Sequence, residues 1–254
     1  FQNKPSVMRL WTHEALRVFG DRLTDDTDRQ WMCDHCSAMC KEVFKCDFQS
    51  EFDHIRPADE TETGYGTLRR LFWGDYMTPA DEDERPYAEV PDLQQLQERT
   101  EEALSDFNSA SKKPMELVMF MFAIEHVSRI ARVLRMPGGN ALLVGVGGSG
   151  RQSLSILATE MAGYQLFRIE ITKSYGMTEW REDLKTVLIE AGAGDRPLVF
   201  LFSDTQISME SFVEDINNML NAGEVPNIFP SDERVAICEK VRPFAKEQFG
   251  RAAG

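Results

Sequence analysis

Residues 145–153 read Gly-Val-Gly-Gly-Ser-Gly-Arg-Gln-Ser, with four glycines inside six positions followed by a cation, an amide and a hydroxyl. A loop of this kind leading into a helix turns successive backbone N–H groups toward one point. The helix N-terminus adds partial positive charge, so the whole forms a cradle for an anion. Two chemistries compete for it. Gly145-x-Gly147-x-x-Gly150, with Glu170 twenty residues on, satisfies the dinucleotide fingerprint. The same residues also read G-x-x-x-x-G, a phosphate loop, except that Arg151-Gln152 stands where Lys followed by Ser or Thr is expected. Farther on, the apolar run Leu198-Val-Phe-Leu-Phe202 ends in Ser203-Asp204. An aspartate at the carboxyl end of a buried strand is what a phosphate-loop NTPase uses to hold Mg²⁺. The plainer account of Asp204 is that it caps the next turn. Paired with the glycine loop, the phosphate-loop reading prevails over the dinucleotide one.

The elements that must position these groups follow from periodicity. Ala141–Val146 is a short apolar run of the buried parallel-strand type. Leu154, Leu157, Ala158 and Met161 then recur at helical spacing. Residues 165–171 alternate, with Phe167, Ile169 and Ile171 on one face and Arg168, Glu170 and Thr172 on the other. This predicts a strand with one wet face, which accounts for Glu170 without a ribose. Further expectations are a helix over Glu179–Ile189 with Thr178 as N-cap, a strand over 198–203, a helix ending near Asn221, and a last helix over about 232–247. Ahead of the loop, Leu93 to Phe107 is helical. Pro114 is expected to open an apolar helix over Met115 to Leu134, closed by Pro137-Gly138-Gly139.

The front of the chain carries no catalytic constellation. Leu10, Trp11, Ala15, Leu16 and Phe19 mark a first helix. Asp25, Asp26 and Asp28 then start a second that runs to about Phe44. Four of the five cysteines cluster at 33, 36, 40 and 46. Cys33, Cys36 and Cys40 share one helical face and read as buried small hydrophobes. A zinc site, with His35 nearby, would need a second ligand pair that is not spaced to serve. His13, among apolar neighbours, reads as structural. Residues 68–77 are expected to hold a short strand, and Pro79–Pro86 an acidic solvated loop.

Composition narrows the class. Lys and Arg total 28 against 42 Asp and Glu, a formal −14 in 254 residues, which argues against a nucleic-acid surface. Residues 1–110 hold 24 acidic and 12 basic residues, a net of −12. The remainder hold 18 and 16, a net of −2. The 42% hydrophobic content is that of a folded chain. The longest apolar run, Leu117–Ile124, is far below a membrane span. The chain starts at Phe1 without a secretory leader pattern, and reads as a soluble intracellular piece.

Gly139-Asn-Ala-Leu-Leu-Val-Gly-Val-Gly-Gly-Ser-Gly-Arg-Gln-Ser-Leu154 resembles the phosphate loop of the fourth AAA+ module of an axonemal dynein heavy chain. The likeness extends to Trp11–Phe19, Asp21–Leu23, Gly74–Met77, Ala123–His126, Trp180–Leu184, Phe202–Ile207, Glu214–Asn218 and Gly223–Asn227. The Gly-Gly-Ser-Gly-Arg-Gln-Ser loop favours the axonemal over the cytoplasmic branch. The resemblance implies an α/β AAA+ phosphate-loop core holding three strands of a five-stranded parallel sheet, preceded by an α-helical lid. Residues 1–86 would be the helical C-terminal part of the third module with its connector, and residues 87–254 the large α/β part of the fourth. The fourth and fifth strands, the lid of the fourth module and the microtubule-reaching stalk would lie elsewhere, leaving this piece marginally stable alone.

The resemblance also implies a site. Gly145, Gly147, Gly148, Ser149 and Gly150 match the cradle for ATP or ADP, and Leu117 and Val118 the segment against adenine, where plain core packing fits nearly as well. Asp204 matches the Mg²⁺ acid. Arg151 replaces the lysine, Gln152 replaces the metal-binding hydroxyl with Ser153 one place on, and Thr205 replaces the water-activating glutamate, which a threonine cannot replace as general base. Such a site holds nucleotide but hydrolyses it poorly or not at all. Implied partners are the neighbouring modules of the same heavy chain, with dynein intermediate and light chains and microtubules through the parent protein, and neither nucleic acid nor membrane. The implied location is the cytoplasm and the cytoskeleton of ciliary and flagellar axonemes. The alternative class is a nucleotide-independent spacer whose glycines serve only tight strand–helix packing.

Overall fold

A computed structural model describes residues 3–80, 82 and 84–250, without the side chains of 247–249. Of the acidic loop, Asp81 and Asp83 lie outside the described residues. Contacts divide the chain into two compact units: residues up to Ala141 together with Gly145–Ala162, and Leu142–Val144 together with residues from Gly163 onward.

In the first unit, α1 (Lys4–Val18) starts where Asn3 Oδ1 accepts from Ser6 N at 2.9 Å, with Pro5 in its first turn. Its buried stripe is Met8, Thr12, His13, Ala15 and Leu16. Asp25 caps α2 (Asp26–Met39) by accepting from Thr27 N at 2.7 Å, as its side chain predicts. A π-helical turn, Cys40–Phe44, continues α2 and ends at Lys45 in the left-handed region (φ 53°). Two short helices follow, α3 (Phe48–Glu51) and α4 (Tyr65–Leu68). The strand expected over 68–77 is only β1 (Trp73–Gly74), antiparallel to β2 (Ala88–Glu89). Around these, Cys33, Cys36 and Cys40 pack with Met8, Leu16, Phe48, Phe52, Leu68 and Trp73 in one core. The sulfur-bearing face is therefore a packing face.

The unit continues through α5 (Leu93–Ala110), α6 (Met121–Arg135) and α7 (Arg151–Ala162), with α7 packed on both others. The helix expected from Met115 begins six residues later, at Met121. Asn108 explains the delay: its Oδ1 accepts from Met115 N at 2.7 Å and its Nδ2 donates to Met115 O at 2.9 Å. Those bonds engage the backbone groups with which Met115 would enter a helix.

The second unit contains a parallel pair, β3 (Gln165–Phe167) and β4 (Leu198–Phe200), with Gln165 opposite Leu198. With them are α8 (Met177–Ala193), α9 (Glu210–Ala222) and α10 (Ser231–Phe249). Trp180 is fully buried, stacks on Phe212 with centroids 4.3 Å apart, and donates its indole N–H to buried Asp215 at 2.9 Å. Ile169, Leu184, Val225 and Ile228 complete this core. Helix α8 starts after Gly176 rather than at Thr178, because Glu179 Oε2 accepts from Gly176 N at 2.9 Å and closes the turn two residues earlier.

The main departure is residues 141–146, expected as a strand. They form no strand, and Leu142, Val144 and Val146 stand 90%, 86% and 79% exposed. Among the described residues the parallel sheet therefore has two strands, each shorter than predicted, rather than three. An apolar run encodes burial, but a strand also needs a neighbour to pair its backbone.

Candidate phosphate-binding site

Gly148 and Gly150 adopt φ of 77° and 79°, a conformation that side chains resist. A turn bond from Ser149 N to Val146 O (3.4 Å) closes the loop, and Leu154 N to Gly150 O (2.8 Å) is the first bond of α7. A Cβ placed on Gly147 or Gly148 would meet no other part of the chain within 4 Å, so the loop's outer side is open. At Gly145 the same atom would lie 3.4 Å from Ser149 Oγ and 3.6 Å from Arg151 Cδ. The arginine stem thus folds back along the loop, where Arg151 Nη2 donates to Val146 O at 3.2 Å. Gln152 is exposed and engaged in a contact of its own, and Ser153 is half-buried on the first turn.

Helix α7 holds this loop firmly. Leu154, Ile156, Leu157, Ala158 and Met161 bury one side. At its C-terminal end the carbonyls of Met161 and Ala162, left without intrahelical partners, accept from Arg85 Nη2 and Nη1 at 2.7 Å each. Arg85, inside the segment read as an acidic loop, is a residue the sequence did not single out. Leu117 and Val118 belong to the same unit as the loop. Leu117 is half-buried and Val118 is 79% exposed, so core packing does not account for Val118.

Asp204 belongs to the second unit. It opens a short 3₁₀ turn, Asp204–Gln206, just beyond β4, and both Asp204 and Thr205 are exposed. Gln206 fixes this turn: Oε1 accepts from Ser203 N (2.8 Å), while Nε2 donates to Ile169 O (2.8 Å) beyond β3. Ser203 Oγ and Thr205 Oγ1 are 3.0 Å apart.

The donor set distinguishes two groups. A phosphate fits the open glycine backbone, the α7 N-terminus and the Arg151 fork. A Mg²⁺ ion fits less well at the loop, because position 152 supplies an amide where a metal-binding hydroxyl is expected.

Elsewhere the titratable groups are structural. Burial pushes the thiols of Cys33 up to about 12 and of Cys36 and Cys40 up to about 11, so none is a thiolate at neutral pH. Burial lowers the pKa of His13, against a hydrogen bond with Glu14 (3.1 Å) that raises it. Burial would raise Glu14, but hydrogen bonds with His13, Arg132 and Tyr87 outweigh it and hold the carboxyl well below its usual range. Among the described residues no group of three or more His, Cys, Asp or Glu is placed to hold a metal ion, and no helix is long and apolar enough to cross a membrane.

A family model described as the P-loop containing dynein motor region D4 matches residues 115–253, more than half of the chain and inclusive of the glycine loop and Asp204. The chain belongs to the axonemal dynein heavy-chain family. It is 48% identical over 247 residues to dynein axonemal heavy chain 3 of Homo sapiens, covering 97% of this chain and 6% of that protein. It is 43% identical over 247 residues to dynein axonemal heavy chain 1 of Mus musculus, and 43% over 247 residues to the dynein-1-beta heavy chain, flagellar inner arm I1 complex, of Chlamydomonas reinhardtii; each covers 97% of this chain and 5% of the relative. The chain therefore spans about one-twentieth of the heavy chains it matches. Its helices and two small sheets are those of an α/β piece of a dynein AAA+ motor region.

Proposed function

We propose that this chain is part of a microtubule-based motor of ciliary and flagellar axonemes, and that its glycine loop holds ATP or ADP for a regulatory or structural purpose with little or no hydrolysis. In this reading residues 1–86 are the helical end of the third AAA+ module with its connector, and residues 87–254 the large part of the fourth. Neighbouring modules, intermediate and light chains and microtubules are partners of the whole heavy chain.

The observation that carries the reading is the loop itself: open at Gly147 and Gly148, backed by the N-terminus of α7, and bordered by Arg151 and Gln152. Leu117 and Val118 serve as the adenine-side segment. In the family likeness Asp204 is the acid that holds Mg²⁺ where one is bound, while Thr205 supplies no general base. Losing one positioned charge or donor of this kind costs about 10²–10³-fold in rate.

The test is nucleotide titration beside a turnover assay on the complete motor domain with its other sites disabled. Binding without turnover is the expected result. Brisk Mg²⁺-dependent turnover from this module overturns the reading, and undetectable binding reduces the loop to a packing device.

A further inference from the structure

We infer that this site takes its nucleotide without a divalent cation, with the Arg151 guanidinium doing the charge neutralisation that lysine and metal otherwise share. The inference rests on the nucleotide-binding reading above and deepens it.

Mg²⁺ beside nucleotide phosphates keeps several of its waters and takes only one or two oxygen ligands from the protein in a near-ideal octahedron, so the loss of one such ligand counts. In the usual place the loop offers no hydroxyl: Gln152 presents an amide there.

Arg151 has the opposite character. Its stem lies along Gly145 and one Nη is fixed on Val146 O, so the guanidinium is kept at the loop. That bond uses one of the five N–H donors of the fork. A planar, delocalised cation pairs with phosphate oxygens bidentately and is less hydrated than an ammonium, so it replaces charge and geometry together. Ordering costs little, because the arm is already folded back onto the loop. The α7 N-terminus adds its partial positive charge on the same side.

The experiment uses the full heavy chain and the photoreactive probe 8-azido-ADP, with labelled peptides mapped by mass spectrometry so that this site is read separately from any other. Labelling of the segment around Leu117 and Val118 is expected to change less than about 2-fold when Mg²⁺ is replaced by EDTA, and to fall about 10-fold or more in Arg151→Ala, the loss of a charge-assisted bond. Gln152→Thr, which restores a hydroxyl beside the loop, should make labelling stronger with Mg²⁺ than with EDTA. Labelling in the natural sequence that needs Mg²⁺ overturns this inference and leaves nucleotide binding intact. Absence of labelling under both conditions overturns the nucleotide reading itself.

Discussion

Glu125 is a carboxylate with 2% of its surface exposed, and it survives there because Arg69 grips both oxygens, at 2.8 and 3.0 Å. Arg69→Ala leaves a buried charge with a single, longer neighbour at 3.9 Å, Arg129. A loss of about 1–3 kcal/mol is expected in a denaturant titration, with Glu125→Gln costing less. Cysteine chemistry gives a second test. Brief alkylation of the native protein at neutral pH should modify exposed Cys238 and, more slowly, half-buried Cys46, sparing Cys33, Cys36 and Cys40 until the protein unfolds. Comparable labelling of all five sinks the packing assignment. The acid response can be signed. Folding lowers the pKa of both His13 and Glu14, so the unfolded chain takes up protons more readily at each. Stability should fall as pH drops below about 6.5 through His13, and again below about 4.3 through Glu14, read as a declining unfolding midpoint. The cysteine face was legible because three sulfurs at i, i+3 and i+7 announce a stripe. Glu125 and Arg69 were not, since nothing local in a helix indicates a partner 56 positions away.

The apolar segment 141–146 is the element whose sequence and structure disagree most. Leu142, Val144 and Val146 expose greasy side chains on a backbone that joins no ladder, the combination that drives edge-to-edge association. This polypeptide on its own should self-associate, and Leu142→Glu with Val144→Lys should lower its light scattering; unchanged scattering assigns the association elsewhere. In the second unit, Asp215→Ala leaves the Trp180 indole N–H buried and unpaired, and should cost about 1–3 kcal/mol by denaturant titration, most of it recovered by Asn. Helices were readable here because amphipathic stripes and capping side chains such as Asp25 and Glu179 are local signals. Strand lengths and the start of α6 were not, since one depends on partners and the other on Asn108, thirteen residues before Met121.

On the scale of the whole chain, the step in charge near residue 110 separates an acidic front from a nearly neutral back, but the compact units follow packing. Helix α7 lies on α5 and α6, and α6 is tied to the front by Arg132–Glu14, Arg129–Asp21 and Arg135–Asp75. Arg9 adds a bond to Glu89 at 2.9 Å. These pairs are partly exposed, so raising salt from 0.05 to 0.5 M should speed amide exchange in the first unit and leave the Trp180 core of the second nearly unchanged. Equal acceleration in both would show that ionic links do not hold the first unit together. The carboxylates that make the front so acidic are thus in part the partners of cations far along the chain, which composition alone does not display. The clasp of Arg85 on the end of α7 has a mechanical consequence. A helix fixed at its far end by two bonds from one side chain cannot slide along its axis without drawing residue 85 with it. Whatever pushes on the glycine loop therefore loads the β1–β2 region directly, and this short helix acts as a strut that carries force across the first unit.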